Sequence, residues 1–126
     1  WKILADTRDY RALMAAFGES VYSPAFYQAY KDLIIASGEG AGETDYENFI
    51  VSIEAIKNFD IYESLKKISC PVFVIGAQED RVVGVQASYD IAKELNCSYY
   101  IYEGYGHAVY DEAPDYLNRI NSFLEL

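Results

Sequence analysis

Residues 71–75 read Pro-Val-Phe-Val-Ile ("PVFVI"), an unbroken apolar run with no polar position to mark a solvent face. A half-exposed strand alternates, whereas a continuous β-branched and aromatic run of this length is the pattern of a strand buried on both faces in a parallel sheet. Beyond this run, Val85, Ile91, Ala92 and Leu95 mark a helix that ends near Asn96. "SYYIY" (98–102) is a second strand. Pro114 then starts a last helix whose Leu117, Ile120, Phe123 and Leu124 form one apolar stripe. Strand, helix, strand, helix predicts a right-handed parallel β-α-β-α unit, so the fold class is α/β.

Residues 1–66 follow a different grammar and read as helices only. Ile3, Tyr10, Leu13, Met14 and Phe17 recur at helical spacing, with Gly18 placed as a C-terminal cap. Ser23-Pro24 supplies an N-cap and a proline for the next helix, which carries Phe26, Tyr27, Tyr30, Leu33 and Ile34. "SGEGAGET" (37–44) is a glycine-rich loop. Thr44-x-x-Glu47 reads as a capping box for a helix that buries Phe49, Ile50, Ile53 and Ile56, and Asp60 as the cap of a short helix through Leu65. The expected organisation is a helical segment, 1–66, followed by an α/β segment, 67–126.

The 126 residues are the length of one ordinary domain, and 52% hydrophobic residues suffice for a core. A formal charge of −10 argues against nucleic acid, whose phosphates require Lys and Arg. No apolar run approaches the roughly 20 residues of a membrane span, and no signal peptide is present. Cys70 and Cys97 are too few for a disulfide scaffold, and a single histidine rules out the usual zinc sites. No metal and no cofactor are expected, and reduced thiols point to a cytoplasmic protein.

In open parallel sheets, functional groups collect beyond the carboxyl ends of the strands. Two loops leave those ends, "GAQEDRVVG" (76–84) and "EGYGHAVYDEA" (103–113). The first offers Asp80 and Glu79; the second offers His107, the only histidine of the chain, with Glu103, Asp111 and Glu112 nearby. Asp80 and His107 lie 27 residues apart, and so do Cys70 and Cys97, each just before its strand. If the strands are neighbours in matching register, the thiols sit level at one end while Asp80 and His107 meet at the other. A carboxylate beside an imidazole fixes the ring's tautomer and stabilises the imidazolium formed when the ring takes a proton from a nucleophile. Gly104 and Gly106 allow the sharp turn that aims the ring off the strand end. Taken alone, Asp80 reads more readily as a turn or cap residue before Arg81, and the pairing with His107 favours the functional reading.

The stretches 65–95 and 97–126, with Ile68-x-x-Pro71-Val72, then a strand, then a loop from Gly76 to Asp80, a helix, a second strand into Gly106-His107, and Glu112-x-Pro114, resemble the C-terminal third of an α/β-hydrolase fold enzyme. Residues 1–60 resemble, more weakly, the helical cap that such enzymes insert before their last strands. The resemblance implies that Asp80 is the acid and His107 the histidine of a Ser-His-Asp triad, with Glu112 and Pro114 structural. The parent would then be a serine hydrolase cleaving an ester, thioester or amide of a small-molecule acyl substrate. Phe26, Tyr27 and Tyr30 are candidates for lining an acyl pocket, or for ordinary helix packing. The family's G-x-S-x-G elbow is absent: "GESVY" (18–22) lacks the second glycine, and Ser20 reads as a helix N-cap. The chain alone is therefore expected to be inactive, with its nucleophile upstream, and to self-associate through an open strand edge. A non-catalytic binding or regulatory member of the family, or one with an aspartate nucleophile, fits the same residues.

Overall fold

The computed structural model describes residues 1–125. The chain divides into two compact units. The first comprises Trp1–Glu19 and Tyr27–Asp60; the second comprises Ser20–Phe26 and everything from Ile61 onward. No helix among the described residues is long and apolar enough to cross a membrane.

The helices of the first half are α1 (Lys2–Asp6), α2 (Tyr10–Val21), α3 (Pro24–Ala36) and α4 (Glu43–Ile56). The first unit is built around Ala5, Leu13 and Tyr46, with Trp1, Leu4, Tyr10, Phe49 and Ile50 packed on them. The run expected from Ile3 to Phe17 is broken into two helices at Arg8, whose φ is +61°. That backbone is held from several sides. The Arg8 guanidinium bonds the Ala5 carbonyl and the Glu43 carboxylate, and the Tyr46 hydroxyl donates to the Arg8 carbonyl at 3.1 Å. Gly18 does not cap α2; the helix continues to Val21. A Cβ at Gly18 would lie 2.7 Å from the Tyr27 ring and 2.9 Å from Ile34, so its missing side chain is the seat of a close approach by α3. Ser20 likewise lies inside α2 and is not an N-cap, whereas Ser23 is one: its Oγ accepts the Phe26 amide at 3.3 Å. The box expected at Thr44 and Glu47 does not form: α4 opens two residues earlier after Gly42, which has no side chain to give, and the Asp45 carboxylate accepts the Gly42 amide at 2.8 Å.

In the second unit a short 3-10 helix, Tyr62–Lys67, precedes β1 (Phe73–Ala77), α5 (Val85–Leu95), β2 (Ser98–Tyr102), α6 (Val109–Glu112) and α7 (Tyr116–Leu124). The short helix is preceded by Ile61 as its cap residue, in place of the expected Asp60. Among the described residues, β1 and β2 form a two-stranded parallel sheet running from Phe73 opposite Ser98 to Ala77 opposite Tyr102. β1 starts two residues later than the apolar run because Pro71 has no amide to give a ladder. It runs through Gly76 because α5 packs there: a Cβ would lie 2.4 Å from Ser88 Oγ. The core is Ala77, Tyr102, Val109 and Ala113, flanked by Ile75, Tyr100, Tyr105 and Tyr116. The expectation of a strand buried on both faces holds only at its carboxyl end, since the residues before Gly76 are half-buried. Arg119 joins α7 to β2. Its guanidinium lies 3.4 Å from the Tyr100 ring centre, and its Nε donates to the Tyr102 hydroxyl, which donates in turn to Asp115. The last helix opens after Asp115 and not at Pro114, and Glu112 belongs to the separate turn of α6.

Candidate active site

The carboxyl end of the sheet carries the two loops that matter. Beyond Ala77 the chain leaves β1 but stays tied to its neighbour, with the Gln78 amide donating to the Tyr102 carbonyl at 2.8 Å and the Glu79 amide to Tyr105 at 3.0 Å. Paired residues within the ladder are 25 apart in sequence, so a 27-residue offset is not the register. Asp80 and His107 meet because the second loop takes up two extra residues at Gly104, which adopts φ +78°. Cys70 and Cys97 are correspondingly out of step, though both border one surface hollow at the opposite end of the strands.

His107 Nδ1 lies 2.9 Å from Asp80 Oδ2. The other carboxylate oxygen accepts the amides of Val82 at 2.8 Å and Val83 at 3.0 Å. Burial is the largest single influence on this carboxyl and pushes its pKa up. The hydrogen bonds from His107, Val83 and Val82 outweigh it and hold Asp80 below the usual carboxylate range. An ionised carboxylate only accepts, so the proton of a neutral ring sits on Nδ1 and the lone pair on Nε2. The Asp80 side chain is 9% exposed and that of His107 38%: the acid is enclosed while the ring reaches solvent. An imidazole held in this way can take a proton at Nε2.

The histidine loop has a second set of fastenings that its sequence did not announce. Gly106 comes so close to the turn between α2 and α3 that a Cβ would lie 2.5 Å from the Tyr22 carbonyl carbon and 2.6 Å from the Ser23 nitrogen. The Ala108 amide donates to the Val21 carbonyl at 3.0 Å. Glu112 Oε1 accepts both the Ser23 amide at 2.9 Å and the Gly106 amide at 3.2 Å. The Tyr22 hydroxyl donates to Asp111 at 3.0 Å, and burial together with that carboxylate pushes its pKa up to about 12. These partners are 89 residues apart in sequence, a separation at which no local pattern could have paired them.

Of the aromatic residues considered for a substrate pocket, Phe26 stacks on Tyr22 with ring centres 5.0 Å apart. Tyr27 is buried against Gly18, and Tyr30 is 46% exposed. Glu79 and Glu103 are exposed and Asp111 bonds Tyr22, so Asp80 is the acid that the fold brings to His107.

The family model described as alpha/beta hydrolase fold matches residues 4–114. "Putative carbamate hydrolase RutD" of Pantoea ananatis (strain LMG 20103) is 30% identical over 97 residues, covering 76% of this chain and 34% of that protein. Among solved structures, MGS-M2, an alpha/beta hydrolase enzyme from a Medee basin deep-sea metagenome library, superposes over 100% of this chain and 48% of its own, with a TM-score of 0.86 at 21% identity. The CarC enzyme, a serine hydrolase involved in carbazole degradation, matches over 93% of this chain and 48% of its own, with a TM-score of 0.72 at 25% identity. The chain thus spans about half the length of these solved structures and a third of the curated relative.

Proposed function

Because the chain belongs to the α/β hydrolase fold family, we propose that it is the C-terminal portion of a serine hydrolase that cleaves an ester, thioester or amide, with Asp80 and His107 as two members of its triad. The observation that carries the reading is the 2.9 Å Nδ1 to Oδ2 contact, made by an enclosed, ionised carboxylate to a ring that reaches solvent. In this scheme Nε2 of His107 removes the proton of a serine hydroxyl contributed by a part of the protein outside residues 1–126. The serine oxygen adds to the substrate carbonyl, and the imidazolium, stabilised by Asp80, gives its proton to the departing alcohol, thiol or amine. A water molecule, deprotonated by the same nitrogen, then releases the acid and restores the serine. Residues 1–66 would act as the cap, with Phe26, Tyr27 and Tyr30 as contributors to an apolar acyl pocket. Support for acyl chemistry comes also from two similar proteins, named "Putative carbamate hydrolase" and "Serine Hydrolase".

The test is made in the complete protein. His107→Ala and Asp80→Asn should each lower kcat for a p-nitrophenyl ester by about 10³-fold or more, and a fluorophosphonate probe should label a serine outside this segment. Turnover that survives both substitutions sinks the triad assignment. Absence of labelling together with absence of turnover would favour a binding or regulatory member of the family.

A further inference from the structure

The geometry points to Glu112 as the positioning residue of His107, and this inference rests on the triad reading above. Glu112 sits on α6, five residues beyond the histidine, and does not touch the ring. Its Oε1 is instead the single acceptor shared by two backbone amides, Gly106 immediately before His107 and Ser23 in the turn between α2 and α3. One oxygen therefore fixes the residue that launches the imidazole to a segment more than eighty residues away in sequence.

Three features make this a clamp on the ring's direction as well as a packing contact. The clamped loop is tight, since a Cβ on Gly106 would fall within 2.7 Å of the Val21 oxygen, the Tyr22 carbonyl carbon and the Ser23 nitrogen. Residues on both sides of His107 are tied to the same turn, Gly106 through the carboxylate and Ala108 through its bond to the Val21 carbonyl. His107 itself makes its one described side-chain bond to Asp80, across the sheet. The ring thus bridges two loops, and the loop that carries it is held in place from the far side by Glu112. Without that acceptor two partly buried amides lose their partner, and Gly106 can move away from the turn. A misplacement of the order of 1 Å at a catalytic group can cost about 10²-fold in rate.

Glu112→Gln keeps an oxygen where both amides need one, whereas Glu112→Ala removes it. The test compares the two in the complete protein by ¹⁵N spectroscopy of the imidazole, with the ring signals assigned by their loss in His107→Gln, alongside turnover of a p-nitrophenyl ester. The unaltered protein and Glu112→Gln should show the Nδ1-protonated tautomer with a slowly exchanging Nδ1 proton. Glu112→Ala should show a mixture of tautomers, a broadened or lost Nδ1 proton, and a fall of about 10- to 100-fold borne by kcat and not by KM. A folded Glu112→Ala that retains the Nδ1 signal and tautomer overturns the positioning role, whatever its turnover. If Glu112→Ala does not fold, Glu112→Asp carries the test, because it withdraws the acceptor by one methylene. An unchanged Nδ1 signal in that variant overturns the role equally. Failure of the hydrolase reading shows separately, as an unaltered protein that turns over no ester while its ring signals remain intact.

Discussion

Both carboxylate oxygens of Asp80 are engaged, one by two backbone amides and the other by the imidazole, and this arrangement has a consequence for stability. A carboxyl whose pKa is lowered on folding stabilises the native state at every pH above its unfolded value, near 3.9. That contribution disappears as the pH falls through the lower, folded value. Asp80→Asn keeps an oxygen for the amides but loses the charge on the His107 bond, and should cost about 1.5–3 kcal/mol at pH 7, the range for a hydrogen bond to a charged group. Urea unfolding of the two proteins should give midpoints that differ at pH 7 and 5 and draw together progressively as the pH falls below the unfolded value, about 3.9. A gap that stays constant down to pH 3 would show that the carboxylate form is not what the native state favours. His107 was legible as a residue because it is the sole imidazole and follows two glycines off a strand end. Glu112 was legible only as an acid near His107 and, through the resemblance, as a structural position, since its partners are set by where a distant turn comes to rest.

At the scale of elements, the readable parts were those where a local rule has no competitor. β2 occupies the five residues its pattern indicated, and α5 ends at Asn96, which adopts the left-handed conformation expected of a C-terminal cap, with φ +48°. Several expectations failed where a glycine had two physical uses. Gly76 looked like the start of a loop, but is a strand residue without a side chain so that α5 can approach. The 27-residue offset suggested matching register, whereas the ladder offset is 25 and the positive φ of Gly104 absorbs the difference. Gly18 looked like a helix terminator and is the floor of a helix crossing, which gives a test whose sign discriminates. On propensity alone, Gly18→Ala in the middle of α2 should stabilise by up to about 1 kcal/mol. Packing predicts the opposite, because the added methyl would sit 2.7 Å from the buried Tyr27 ring and 2.9 Å from Ile34. Overpacking of this kind costs about 1–3 kcal/mol, so thermal unfolding of Gly18→Ala should show a lower midpoint. A raised midpoint would mean that α3 does not approach α2 this closely.

For the molecule as a whole, the surfaces of the 126-residue chain bear on how it behaves in isolation. The chain spans about half the length of the solved α/β hydrolases it resembles, and among its described residues β1 is paired on one edge only. Leu117 and Leu124 of α7 are 69% and 71% exposed, and Phe59, Val83 and Tyr110 also present most of their surface to water. Unpaired strand amides next to uncovered apolar side chains favour association with another chain. The opposing force is a net charge of −10, which repels like copies at long range. The two forces differ in their response to salt, since charge repulsion fades once the screening length falls to about 10 Å near 0.1 M while apolar association does not weaken. Residues 1–126 produced alone should therefore sediment as a smaller species in low salt and shift toward dimers or larger species as salt rises. A replacement of Leu117 and Leu124 by Glu should reverse that shift. A chain that remains a clean monomer with cooperative unfolding at every salt concentration would mean that these surfaces are sufficient as they stand, and that the exposed edge and the apolar face of α7 need no covering partner.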